Sequence, residues 1–129
     1  MRLAIIAAAA TLIAAPASAD LGDEPRIVEP LIGIGIAYEI SEVCPGIDAR
    51  KIVGLTRLLG LKGTARELGY SDREIDAFID DDAEKDRLEA VARERLAALG
   101  ATRGDVAAHC AVGRAQIAEG GYVGQLLRD

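Results

Sequence analysis

The chain has 129 residues, half of them hydrophobic, and a formal net charge of −6, which is enough sequence for a single domain. Its acidic balance argues against nucleic acid or anionic lipid as the main partner. With no Trp, one Phe and three Tyr, the chain is also poorly equipped to stack against bases or sugars.

Residues 1–19 have the order of a secretory signal peptide. A basic Met1-Arg2 start precedes a predominantly apolar run from Leu3 to Ala15, and a small-residue A-x-A motif ends at Ala19. A membrane anchor is the alternative, but the apolar run is short against the ~20 residues that span a bilayer. We therefore predict cleavage between Ala19 and Asp20, export to the periplasm, and a single mature domain of residues 20–129 without a transmembrane segment.

The two cysteines, Cys44 and Cys110, lie far apart in the sequence. In an exported protein such a pair predicts one disulfide, and two separate buried thiols are the alternative. In the chain-entropy account, a crosslink that closes so long a loop stabilises the fold by roughly 4 kcal/mol. Because no C-x-x-C motif is present, we expect the bond to be structural and not redox-active.

The most apolar stretch of the mature chain runs from Pro30 to Cys44. Proline suits the first turn of a helix, so we predict a helix there, preceded by an extended segment over residues 20–28. Its start is apolar on nearly every side, which is typical of a helix in the centre of a bundle. Gly33 and Gly35 each weaken a helix by ~1 kcal/mol, and close approach of a neighbouring helix would compensate. A strand is the alternative, but a dinucleotide-type turn is excluded because a third glycine is missing at the required offset.

A second helix is predicted from Ala49 to Leu68. It carries two adjoining apolar stripes, Ile52, Leu55 and Leu59 on one and Leu58, Leu61, Ala65 and Leu68 on the other. Gly60 and Gly63 favour a kink or a break in the second half of this helix.

Two polar sequences mark the starts of the next helices. Ser71 and Glu74 have the spacing of a capping box, which predicts a short third helix through Ile79. The run Asp80-Asp81-Asp82 suggests a calcium loop, but the glycine and the bidentate glutamate of such a loop are missing at their positions. We therefore expect these acids to cap the fourth helix, Ala83 to Leu99, because a helix N-terminus favours negative charge.

A fifth helix is predicted to begin after Thr102 as its cap and to end at Gly120. One of its stripes consists of Val106, Cys110, Gly113 and Ile117. Cys110 therefore faces inward, as a bond to Cys44 requires. The tail, residues 122–129, is expected to add a last turn that docks on the bundle. The predicted fold is all-α, a small bundle of about five helices with one disulfide.

The sequence offers little for catalysis. His109 is the only histidine, and an ordinary zinc site needs three or four nitrogen or sulfur ligands. Neither a nucleophile elbow nor a phosphate loop nor a C-x-x-C-H haem motif accompanies it. We therefore predict a non-enzymatic protein without a metal or a cofactor.

Several blocks of the mature chain resemble one family. They are Cys44-Pro45, Ala49-Arg50, LGYSDREIDAFI at 68–79, Cys110-x-x-Gly113-Arg114, Ile117-Ala118-x-Gly120 and Gly124-x-Leu126-Leu127-Arg128. In these blocks the chain is similar to a family of small exported bacterial proteins classed as a domain of unknown function, some of them labelled as a component of NADH dehydrogenase. An iron–sulfur component of that enzyme needs four cysteine ligands, and this chain has two. The resemblance implies export and an all-helical fold, and it brings no known active site.

These observations together predict a binding or accessory module in the periplasm, with a protein as its partner. The periplasmic face of a membrane complex, respiratory complexes included, is one candidate partner. The alternative function is a periplasmic chaperone or stress protein, because a small acidic domain can release apolar surface when its carboxylates are protonated. The predicted contact surfaces are the loop at Tyr70 and the tail residues Tyr122, Leu126, Leu127 and Arg128; alternatively, both simply pack on the core.

Overall fold

The computed structural model describes residues 20–129, so the predicted signal peptide, residues 1–19 with the cleavage site after Ala19, lies outside the described residues. The five helices are α1 (Pro25–Val43), α2 (Lys51–Glu67), α3 (Asp72–Ile79), α4 (Asp82–Ala98) and α5 (Val106–Glu119). The remaining elements are short: 3₁₀ turns at Leu21–Asp23 and Gly124–Leu126, and strands β1 (Asp48–Ala49) and β2 (Leu127–Arg128). The predicted all-α fold with one disulfide is confirmed, and the disulfide joins Cys44 to Cys110.

Helix α1 lies at the centre of the bundle. Helix α4 packs along it most extensively, and α2 and α5 pack on other sides of it. Ile36, Ala37 and Ile40 of α1 are buried and belong to the main core, which also includes residues of α4 and of the tail. A second, smaller cluster is formed by Leu21, Ile27, Ala65 and Ile75, and it joins α1 to α2 and α3.

The first helix begins five residues earlier than predicted. Pro25 occupies its first position, and the Glu24 carboxylate caps it by accepting a hydrogen bond from the Arg26 N–H. Pro30 therefore lies inside α1, where it removes one main-chain hydrogen bond from the helix. The prediction that residues 20–28 are extended was wrong, because both prolines suit a first turn and the cap at Glu24 selects the earlier one.

The polar starts of α3 and α4 are as predicted. Ser71 and Glu74 make both hydrogen bonds of the capping box, and the Asp81 side chain accepts from two backbone N–H groups at the start of α4. Helix α5 begins later than predicted, because Asp105 and not Thr102 is its cap. The Thr102 carbonyl instead accepts from the Asp105 N–H in a turn before the helix.

Helix α2 is continuous from Lys51 to Glu67, so of the predicted kink or break at Gly60–Gly63 the break is wrong. Most of the second predicted stripe packs on the molecule, with Ala65 buried and Leu61 and Leu68 half-buried, whereas Leu58 is 39% exposed. The first stripe, Ile52, Leu55 and Leu59, is exposed. The helix is apolar on two sides, and only one of them faces the rest of the domain.

The tail docks on the bundle, as predicted. Leu126 and Leu127 are buried, and β2 pairs with β1 in antiparallel register, with Leu127 opposite Ala49. Gly124 permits this docking, because a Cβ there would lie 2.6 Å from the carbonyl carbon of Gln116 and closer still to its oxygen. A side chain at this position is therefore incompatible with the observed path of the tail.

Candidate functional site

The structure does not join the predicted contact residues into one surface. Tyr70 packs against the second apolar cluster, whereas the tail residues lie on the main core. Leu126 and Leu127 are buried, which contradicts their assignment to a contact surface: they are core residues. Arg128 is exposed, and its guanidinium lies 3.9 Å from the Asp48 carboxylate.

Tyr122 fastens the tail to two helices. Its ring packs over Gly33 of α1, where a Cβ would lie 2.7 Å from the ring edge. The Arg57 guanidinium stands 4.3 Å from the ring centroid, and it donates hydrogen bonds to the Tyr122 carbonyl and the Gln125 side chain. The close approach predicted at the two glycines of α1 is present: at Gly33 an aromatic ring makes it instead of a helix, and at Gly35 a Cβ would lie 3.3 Å from the Ala92 Cβ of the neighbouring α4. Tyr122 is 38% exposed, so part of its side chain is accessible while the ring packs on Gly33.

Tyr70 lies in an acidic depression shared with Asp20, Leu21 and Glu74. Partial burial raises the pKa of its phenol, and nearby carboxylates, with Glu24 first among them, raise it further. The phenol therefore stays protonated at neutral pH, which leaves it able to donate a hydrogen bond but unsuited to act as a base.

His109 is 2% exposed and belongs to the interior. Its Nδ1 lies 2.7 Å from the carbonyl oxygen of Asp105, one turn earlier in α5, so the ring is held by the helix itself. Its neighbour Cys110 is consumed by the disulfide. Among residues 20–129, no group of three His, Cys, Asp or Glu side chains is placed to hold a metal ion.

A cleft that the sequence did not reveal lies between α1, α2, α3 and α4. Its volume is about 520 Å³, and most of the surface that lines it is apolar. The apolar lining consists of Leu31, Ile34, Gly35, Tyr38, Leu58, Phe78, Ile79, Leu88 and Ala92. Tyr38 and Ile79 are 59% and 54% exposed, so two large apolar side chains are directly accessible at the cleft.

The charged groups of the cleft largely neutralise one another. Arg93 lies 3.6 Å from Glu39 and 3.8 Å from Glu89, and Glu84 is paired with Arg87. Such exposed pairs contribute little to stability, but they leave little unbalanced charge beside the apolar lining. The cleft is therefore suited to an apolar side chain or peptide segment and not to a strongly charged small molecule.

The signal for this cleft is present in α1. Leu31, Ile34 and Tyr38 are spaced three and four residues apart, which places them on one side of the helix. They continue the apolar character of α1 on a side that α4 and α5 do not cover completely. The short α3 and the second stripe of α2 leave this side of α1 partly uncovered. The sequence alone did not indicate that these helices would fail to cover it.

None of the helices described between Asp20 and Asp129 has both the length and the apolarity that a membrane crossing requires.

In the comparisons with known proteins, no curated protein and no solved structure matches this chain. A family model described as "Family of unknown function (DUF5333)" matches residues 19–128, which include both cysteines and all five helices. Since this match covers most of the sequence, the chain belongs to that family of unknown function.

Proposed function

We propose that this protein is an exported, non-enzymatic binding module that acts in the periplasm and holds an apolar segment of a partner protein. The observation that carries the proposal is the cleft between α1, α2, α3 and α4, in which Tyr38 and Ile79 are exposed. Large apolar side chains grouped at a concave surface favour recognition of a peptide segment or helix. The burial of His109 and the use of Cys110 in the disulfide also favour binding over catalysis.

Export is supported by two independent features. The order of residues 1–19 is that of a signal peptide, and a disulfide such as Cys44–Cys110 persists in oxidising compartments such as the periplasm. Mass spectrometry of the protein taken from the cell envelope should give a chain that begins at Asp20 and contains the disulfide. An intact leader, or free thiols at both positions, would contradict this part of the proposal.

The partner that we propose is a protein of the envelope, and membrane complexes, respiratory ones included, are the first candidates. The test places a photo-crosslinking amino acid at Tyr38 or at Ile79 and irradiates intact cells. Leu99 is the matched control, because it is as exposed as Ile79 at 54% and is not part of the cleft lining.

We expect one envelope protein to be captured from both cleft positions and not from Leu99. A component of a membrane complex found in that adduct would also specify the accessory role. Capture of the same mixture from all three positions, or of nothing from the cleft, would refute the assignment of the cleft as the binding site.

One observation favours the alternative of a periplasmic stress chaperone. The Glu29 carboxylate joins α1 to α4 through two hydrogen bonds from Arg95, and this pairing lowers the pKa of Glu29. Protonation in acid removes this link between α1 and α4. A chaperone of this kind should bind a hydrophobic dye near pH 3, and a protein that stays compact and dye-free there would exclude this function.

A further inference from the structure

The outward face of α2 is apolar and uncovered in the described chain. Ile52, Leu55 and Leu59 are 81%, 58% and 59% exposed. Their spacing of three and four residues puts them on one side of the helix. Exposed aliphatic side chains are ordinary when they stand singly, but three of them in a row on one helix form a patch that calls for a partner.

The charge of this segment is opposite to that of the protein. From Ala49 to Arg66 there are five basic and no acidic residues, in a chain of net charge −6. Arg50 donates to the Gln125 carbonyl and Arg57 to the Tyr122 carbonyl, so both have neutral main-chain acceptors. The net charge of the whole chain therefore conceals a local positive region on α2.

In the first half of α2, Lys51 is the cationic residue next to the apolar stripe, because Arg57 stacks on Tyr122 on the tail side of the helix. At the far end of α2, Lys62 lies 4.0 Å from Asp76 and Arg66 lies 2.7 Å from Asp72, which reduces the charge there. Arg50 and Lys51 immediately precede Ile52, at the end where the helix begins. The first half of α2 thus combines exposed aliphatic groups with cationic groups.

An amphipathic aromatic side chain lies next to this half of the helix. Tyr38 of α1 lines the same depression as Lys51 and Ile52, and it is largely exposed. Tyrosine is enriched where one end of a side chain meets lipid and the other meets water. The same depression carries three basic side chains, Arg50, Lys51 and Arg128, and two acidic ones, Glu42 and Asp48, which leaves it with a small positive excess.

We propose that the outward face of α2 binds the surface of an anionic lipid bilayer, with the helix lying parallel to that surface. Aliphatic groups on the outer side of a helix with lysine and arginine beside them are the pattern of interfacial helices. Positive charge on α2 complements anionic headgroups, each such residue strengthening attraction to the surface. A second copy docking through the same face would bring the like charges of two α2 helices together, which disfavours a symmetric dimer.

The test is co-sedimentation of the protein, purified from the cell envelope with its disulfide intact, with vesicles of phosphatidylcholine alone or mixed equally with phosphatidylglycerol. We expect binding to the anionic vesicles only, weakened by salt because exposed charges are screened. Leu55→Asp should weaken it at least tenfold, and Lys51→Gln about fivefold, the value of one charge at such a surface. Leu99→Asp is the matched control, because Leu99 is similarly exposed and lies outside α2.

All variants have the same residues before Asp20. A difference in vesicle binding between Leu55→Asp and Leu99→Asp is therefore caused by the change in α2. Unchanged circular dichroism of each variant establishes that the loss does not come from unfolding. The proposal is overturned by absence of binding to the anionic vesicles, or by equal binding to both vesicle types. It is also overturned if Leu55→Asp only dissolves a dimer or only removes an envelope-protein crosslink, since the face would then serve a protein.

Discussion

The docking of the tail depends on the absence of a side chain at Gly124, and Gly124→Ala is the sharpest test of that packing. The added Cβ would lie 2.6 Å from the carbonyl carbon of Gln116, a backbone atom that cannot rotate away. The tail must therefore move. Full burial of a leucine side chain is worth about 1.5–3 kcal/mol, so displacement of Leu126 and Leu127 costs up to about 3–6 kcal/mol. A shift that keeps both buried still costs about 1–3 kcal/mol, as overpacking usually does.

We expect the free energy of unfolding to fall by about 3 kcal/mol, measured by urea denaturation followed by circular dichroism with the disulfide intact. Gly121→Ala is the matched control in the same tail, because a Cβ there meets nothing within 4 Å and Gly121 is not among the glycines with positive φ. The control should change stability by less than about 0.5 kcal/mol. If the two variants were equally stable, the tail would not be held as described.

Two further predictions concern the crosslink and the response to acid. Replacing Cys44 and Cys110 together by serine should lower the free energy of unfolding by about 4 kcal/mol, and a loss below about 1 kcal/mol in denaturant titration would contradict the entropic account. Because Arg95 lowers the pKa of Glu29, the ionised pair stabilises the fold above the ordinary glutamate pKa of about 4.3 and this contribution disappears as pH falls through the lowered value. Glu29→Gln should therefore reduce the loss of stability as the pH falls below about 4.3, whereas Glu42→Gln, which lies outside the pair, should leave that loss less affected.

The features predicted correctly are those that depend on local sequence or on simple chemistry. Ser71 and Glu74 specify the start of α3 because both capping hydrogen bonds are made within four residues. The Cys44–Cys110 bond was predicted from the presence of two cysteines after a predicted signal peptide. The position of α1 in the centre follows from its being apolar on nearly every side. None of these predictions requires knowledge of how the helices are arranged.

The features that were missed depend on which of several equivalent surfaces is covered. Pro25 and Pro30 both suit the start of a helix, and the side-chain cap at Glu24 selects between them. The two stripes of α2 are similarly apolar, and only the packing of α1 and α3 determines which is buried. Leu126 and Leu127 were assigned to a contact surface because the β1–β2 pairing that buries the tail joins segments far apart in the sequence.

The disulfide and the open surfaces are physically related. A domain of this size gains its stability from the area that it buries, yet α1 is left partly open at the cleft and α2 buries only one of its two apolar sides. The crosslink between the end of α1 and α5 offsets part of that deficit by restricting the unfolded chain. It does so without covering either surface, because Cys44 belongs to the main core, the partly buried Cys110 packs against that core, and neither residue lines the cleft. Stabilisation by the disulfide therefore explains why a small domain tolerates the exposed side chains of Ile52 and Tyr38. It also predicts that substitutions of these two residues impair binding more than folding.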